Sequence, residues 1–168
     1  MTNDDGIPLW YIIAGSVLIA VLIVFMVNKI IRQFRFGNIR ELTVLITGCD
    51  TGFGHDLAIK CLSKGMTVFA TCLTKEGVDR LRQEQTGLTG LLDSFIMDVR
   101  EDDSVQKAYE HVYEQLKLQN KELNAIVNNA GIIGNSFFDD FLEIDDFLEV
   151  LKVNTFGAIR VTHIFKPL

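Results

Sequence analysis

The segment Thr47-Gly48-Cys49-Asp50-Thr51-Gly52-Phe53-Gly54 constrains this chain more than any other. It follows an apolar run, Leu42–Ile46, and precedes a helical pattern with Leu57, Ala58, Cys61 and Leu62 on one face. Three glycines spaced T-G-x-x-x-G-x-G between a strand and a helix leave few folds open. Gly48 lets the chain turn sharply off the strand, Gly52 leaves the backbone uncovered, and Gly54 lets the helix pack close to the sheet. The free N–H groups of the helix's first turn then lie beside bare backbone. That combination suits the phosphates of a nucleotide.

The rest of the chain alternates between the two periodicities. Strands are predicted over Leu42–Thr47, Thr67–Leu73, Ser94–Met97 (within Leu91–Met97) and Leu123–Asn128. Helices are predicted over Phe53–Lys64, Glu76–Gln85, Asp102–Leu118 and Asp145–Phe165. Gly65 stops the first helix, and Asp145 and Asp146 suit the positive end of the last helix's dipole. The alternation implies an α/β fold, a Rossmann-type doubly wound parallel sheet with helices on both faces. Right-handed crossovers and a phosphate loop after strand one give the strand order 3-2-1-4.

Ahead of this domain, Leu9 to Val27 carries no charge. As a helix it spans about 30 Å, the thickness of a bilayer's hydrocarbon core. Trp10 and Tyr11 suit one interface. Asp4 and Asp5 precede the run, and Lys29, Arg32, Arg35 and Arg40 follow it. By the positive-inside rule, residues 1–8 lie in the lumen or outside the cell and residues 9–28 form a single-pass anchor. A basic linker, 29–40, then leads to a cytosolic domain, 41–168, with Phe36-Gly37-Asn38 as the short link between anchor and domain. A cleaved signal peptide fits less well, because its amino-terminal flank would be basic and a small-residue cleavage site would follow.

The net charge is −6; residues 1–40 carry four basic and two acidic side chains, which leaves −8 for the remainder. Such an acidic domain speaks against nucleic acid as a partner. Cys49, Cys61 and Cys72 show neither a C-x-x-C pair nor a metal-ligand spacing, and they read as ordinary thiols in a reducing compartment. No metal site is expected. Only Pro8 and Pro167 interrupt the chain, and no N-x-Ser/Thr sequon occurs.

Three further motifs accompany the glycine loop: Asp98-Val99 at the end of strand three, Asn128-Asn129-Ala130-Gly131 at the end of strand four, and Asn154 in Lys152-Val153-Asn154. Together the set resembles the short-chain dehydrogenase/reductase family over residues 41 to 168. The wording of residues 46–54, with Cys72-Leu73-Thr74, looks like the branch of retinol dehydrogenases, 17β- and 3α-hydroxysteroid dehydrogenases and 3-hydroxybutyrate dehydrogenase.

The resemblance implies a nicotinamide dinucleotide cofactor held at matching positions. Thr47, Gly48, Asp50, Thr51, Gly52, Phe53 and Gly54 form the loop, whose glycines would cradle the diphosphate. Asp98 would accept from the adenine amino group, with Val99 beside it. Asn129 would tie strand four to the loop through Thr47, and Ala130 and Gly131 would line the ribose. Asn154 resembles the asparagine of the catalytic tetrad, whose backbone holds a water of the proton relay. The helix carrying it is commonly a dimer surface in the family, so a homodimer is one expected assembly.

NAD enzymes usually place an acid near the end of strand two, but Ala70-Thr71-Cys72-Leu73-Thr74 has none. The loop carries Asp50, which would repel a phosphate dianion, rather than a cation, and Lys75 is the only nearby cation. The balance favours NAD, with NADP left open. Family members complete the chemistry with a Ser and a Tyr-x-x-x-Lys after the segment that ends here at Leu168. Tyr113 and Lys117 match that spacing on a helix ahead of strand four, and they read as ordinary helix neighbours. Ser136 does not stand where the family's serine does.

The expected function is therefore oxidation or reduction of a lipophilic alcohol, ketone or aldehyde, a retinoid or a steroid, at the endoplasmic reticulum membrane. The alternatives are a non-catalytic nucleotide-binding or dimer-partner form and a 3-hydroxybutyrate dehydrogenase-like enzyme.

Overall fold

The computed structural model describes residues 9–36, 38–135, 139–166 and 168. Residues 1–8 with Asp4, Asp5 and Pro8, the linker's Gly37, Ser136 and Pro167 lie outside the described residues. The chain divides into two units, Met1–Asn38 and Ile39–Leu168.

The first unit holds one helix, α1 (Leu9–Phe36). Its 28 residues rise about 42 Å. Within it, the 19 residues Ile13–Ile31 are long and apolar enough to cross a membrane, and none is buried. A helix that is apolar on every side and covered by nothing suits a hydrocarbon environment better than water.

The second unit is a four-stranded parallel sheet. Its strands are β1 (Thr43–Ile46), β2 (Thr67–Cys72), β3 (Leu91–Ile96) and β4 (Ala125–Val127), in the order β3-β2-β1-β4. Val44 pairs with Val68 on one side and with Ala125 on the other, and Phe69 faces Asp93. Helices α2 (Gly52–Ser63), α3 (Lys75–Glu84) and α4 (Asp102–Gln119) form the crossovers.

Successive strand residues point to opposite faces, so each strand feeds two cores. Val44, Ile46, Val68 and Ala70 pack with Ala58 and Leu62 of α2 and Val78 and Leu81 of α3. Leu45 and Phe69 pack on the other face with Val105, Ala108, Val112 and Leu116 of α4. Val161 and Phe165 join this second cluster from the carboxy-terminal helix.

The doubly wound sheet and its 3-2-1-4 order agree with the sequence reading; most element ends shift by a residue, and larger details differ. The third strand runs Leu91–Ile96 rather than Ser94–Met97, because its pairing with β2 already begins at Leu91 opposite Thr67, and Asp93 is accommodated at the sheet's edge by His111 at 2.8 Å. The fourth spans only Ala125–Val127, and half-exposed side chains mark it as an edge. Helix α3 starts at Lys75, one residue early, because Thr74 caps it by accepting from the Gly77 N–H at 3.1 Å.

The largest difference concerns the last helix. It runs as α5 (Ile144–Leu151), a π-helical turn over Lys152–Gly157, and α6 (Ala158–Phe165). Two tertiary contacts sit in the widened turn. The Asn154 amide pairs with Ile132, and Gly157 lies against Val99 with no room for a side chain.

Candidate functional site

All four strands point their carboxyl ends at one cleft of about 360 Å³. Gly48, Asp50, Thr51 and Phe53 line it after β1, and Leu73 after β2. Met97, Asp98, Val99 and Arg100 line it after β3. Asn129 to Ile132 line it after β4, and Val153 reaches in from the π turn. From β1 the chain steps to one side through β2 and β3 and then crosses back to β4 on the other side of β1, so the cleft sits where the strand order reverses. In open α/β sheets that is where ligands bind.

The glycine loop is fixed by close approach and by backbone conformation. Gly48 has φ +68, and a Cβ there would stand 2.7 Å from the Cα of Ala130. Gly52 has φ +66 with open space around it, so its need is conformational. At Gly54 a Cβ would strike the Asn129 amide and the Gly48 carbonyl. The close packing at Gly54 is thus against the strand-four turn as well as the loop's own backbone.

Asn129 and Thr47 lock the two turns together. The Asn129 amide nitrogen donates to the carbonyls of Thr47 and Gly48, both at 2.9 Å. The buried Thr47 hydroxyl accepts from the backbone N–H groups of Asn129 at 3.1 Å and Ala130 at 3.0 Å. Thr47, Gly52, Gly54 and Asn154 do not line the cleft: Thr47 and Gly54 are buried, whereas Gly52 and Asn154 are exposed. Asn154 accepts from the Ile132 N–H and donates to the Ile132 carbonyl, each at 2.9 Å. It thereby holds the stretch after Gly131 against the π turn.

Asp98 is engaged by Arg100. Its Oδ1 accepts from the Arg100 backbone N–H at 2.9 Å and Nε at 3.0 Å, and its Oδ2 from Nη2 at 2.6 Å. These bonds hold the Asp98 carboxyl below the usual carboxylate range, against a smaller opposing effect of burial. Arg160 donates to the Val99 carbonyl at 2.7 Å and also bonds Asp102. The strand-three turn is therefore pinned from the last helix.

Asp50 does not aim its carboxylate freely into the cleft. Oδ2 accepts from the Leu73 N–H at 2.8 Å, and Oδ1 accepts from the Thr74 N–H at 2.9 Å and hydroxyl at 2.7 Å. Lys75 is not the only cation nearby: Arg80 donates to the Asp50 carbonyl at 3.1 Å. Burial pushes the Cys49 thiol well up and the Cys72 thiol up to about 12, and it also raises the half-buried Cys61. Thiols so raised are poor nucleophiles and poor metal ligands. Among the described residues no cluster of His, Cys, Asp and Glu could hold a metal ion. Tyr113 is half-exposed on α4 and stacks on Tyr109, and neither it nor Lys117 lines the cleft.

Sequence reasoning missed Arg100, Leu73, Met97, Ile132 and Val153 as lining residues, and Gly77 as a partner of Asp50. Two of these left a signal. Asp98 after a strand invites an Asx-turn, which brings the backbone of residue 100 to its carboxylate, and a lone glycine inside a helical pattern asks for a packing reason.

The short chain dehydrogenase family model matches residues 42–168. The chain is 43% identical over 128 residues to 3beta-hydroxysteroid dehydrogenase dhs-16 of Caenorhabditis elegans, covering 74% of this chain and 33% of that protein. It is 35% identical over 158 residues to mouse (Mus musculus) retinol dehydrogenase 16, covering 94% of this chain and 47% of that protein. It thus spans less than half the length of these relatives. Among solved structures it is similar to an NAD+-bound xylitol dehydrogenase, with a TM-score of 0.71 at 20% identity over 78% of this chain and 49% of that one. With the order of the sheet, the cleft at its switch point and the match over residues 42–168, this chain belongs to the short chain dehydrogenase family.

Proposed function

We propose that residues 41–168 form the dinucleotide-binding part of a membrane-anchored oxidoreductase that interconverts a lipophilic alcohol with its ketone or aldehyde, retinoids and steroids being the substrate class. The observation that carries this reading is the convergence of Gly48, Asp98 and Asn129–Gly131 on one cleft at the sheet's switch point. The substrate class rests on the kinship with proteins named retinol and hydroxysteroid dehydrogenases. It also rests on α1, which would keep the domain beside a membrane in which such substrates dissolve.

The residues present fit a nicotinamide adenine dinucleotide. Side-chain-free Gly48 and Gly52, with Thr51, Phe53 and Gly54 at the start of α2, offer backbone N–H groups to a diphosphate. Each Asp98 oxygen already accepts two bonds from Arg100, so an adenine amino group beside Val99 would share the carboxylate with that guanidinium, and Ala130 and Gly131 would face the ribose. The cofactor would supply hydride exchange at the substrate's carbinol carbon. Asn154 would position a relay water through its backbone, with its side chain clamped on Ile132. We assign residues 9–28 as an endoplasmic reticulum anchor, 1–8 to the lumen, and 29–40 to a basic linker on the cytosolic side.

Calorimetric titration of the chain with NADH tests the core of this reading. Saturable binding is expected, with at least a tenfold loss in Gly52→Val, whose β-branched side chain opposes φ +66 and blocks the loop. Absence of binding, or binding indifferent to Gly52→Val, rejects it.

A further inference from the structure

We infer that Asp50 is the residue by which this cleft discriminates against a cofactor carrying a phosphate on its adenosine ribose. The inference rests on the dinucleotide reading above and goes beyond it. The end of β2 lacks the acid that often makes this choice, so the choice falls to other groups.

The carboxylate of Asp50 lies 23 and 24 residues from its partners in the chain, yet it takes both backbone N–H groups that follow β2, those of Leu73 and Thr74. It also takes the Thr74 hydroxyl. That hydroxyl in turn accepts from the Gly77 N–H, so the carboxylate completes the cap of α3. A ribose phosphate placed beside Leu73 would seek the same donors at the positive end of the same helix. Here they already hold a negative group.

The sequence makes space for this arrangement. Gly77 lies inside α3, where glycine costs helix stability, and a Cβ there would stand 2.6 Å from Asp50 Oδ1. Any side chain at residue 77 would push the carboxylate off the cap.

The cations do not offset it. Arg100 lines the cleft, but its guanidinium is paired with Asp98. Lys75 and Arg80 do not line the cleft, and Arg80 is bonded to the Asp50 carbonyl. Among the described residues Asp50 makes no ion pair; Arg80 reaches its backbone carbonyl and not its carboxylate. A phosphate dianion within a few ångströms of that carboxylate would be repelled by it. A ribose hydroxyl would instead find lone-pair capacity left on Oδ2, which accepts one bond.

The test measures dissociation constants of the full chain for NADH and NADPH by cofactor fluorescence. The unaltered chain is expected to prefer NADH by at least tenfold. Asp50→Ser should narrow that preference tenfold or more, chiefly by tightening NADPH. A second measurement needs no variant: raising salt from 20 to 300 mM should screen the repulsion and narrow the preference in the unaltered chain. A preference for NADPH overturns the inference. So does a ratio that Asp50→Ser leaves unmoved, or one that salt widens. Those results leave the dinucleotide reading intact, whereas binding of neither cofactor removes both.

Discussion

Asp98 shows how a single residue can be held for a task by its near neighbour. Arg100 sends its backbone N–H and its guanidinium to the same carboxylate, with Nη2 to Oδ2 at 2.6 Å. Because the folded-state pKa of Asp98 is lowered, this contact contributes stability above the unfolded carboxyl pKa of about 3.9 and loses it as pH falls through the folded value. Arg100→Leu should therefore destabilise the domain by an amount that is constant between pH 5 and 8 and shrinks below about pH 4. Urea midpoints of both chains across pH will check this, and a gap that grows on acidification contradicts the assignment. The motif Asp98-Val99 was readable as a site candidate, but its guanidinium partner was not. The choice of Arg100 over solvent depends on a turn geometry that the residue types allow without requiring.

At the scale of elements, the π turn over Lys152–Gly157 couples the last helix to two of the cleft's turns. Asn154 grips Ile132, Gly157 seats Val99, and Arg160 reaches the Val99 carbonyl. Gly157→Ala would place a methyl 2.7 Å from Val99 Cγ2 in a buried position. Overpacking of this kind should cost about 1–3 kcal/mol. The loss should appear as a lower urea midpoint and as faster amide exchange in the strand-three turn, Met97–Arg100. Apolar periodicity alone predicts one unbroken helix over Asp145–Phe165, because widening a turn by one residue changes the periodicity too little to register in so short a pattern. The strands were more legible. Continuous apolar runs such as Val44–Ile46 and Val68–Ala70 follow from burial on both faces of a parallel sheet.

For the molecule as a whole, α1 and the domain differ in what they expose. The helix exposes Val21, Leu22, Phe25 and Met26 by about half or more, while the domain buries Leu45, Phe69 and Leu81 completely. Alkaline carbonate extraction of membranes carrying the chain should leave it in the pellet, and a form lacking residues 9–31 should move to the supernatant. Recovery of the intact chain in the supernatant contradicts an integral anchor. What the sequence by itself determined was whatever is local or periodic. It specified a span-length apolar helix, alternating strands and crossover helices which, with a phosphate loop after strand one, point to the order 3-2-1-4, and glycines that suit a sharp strand-to-helix turn. What the tertiary structure alone decided were pairings across distance. The Asp50 carboxylate caps a helix 24 residues away, Asn154 bonds a loop 22 residues away, and Thr47 and Asn129 close two turns into one wall. Such contacts depend on how the layers seat against one another, and close packing fixes that to within fractions of an ångström. A pattern of residue types carries no distance that fine.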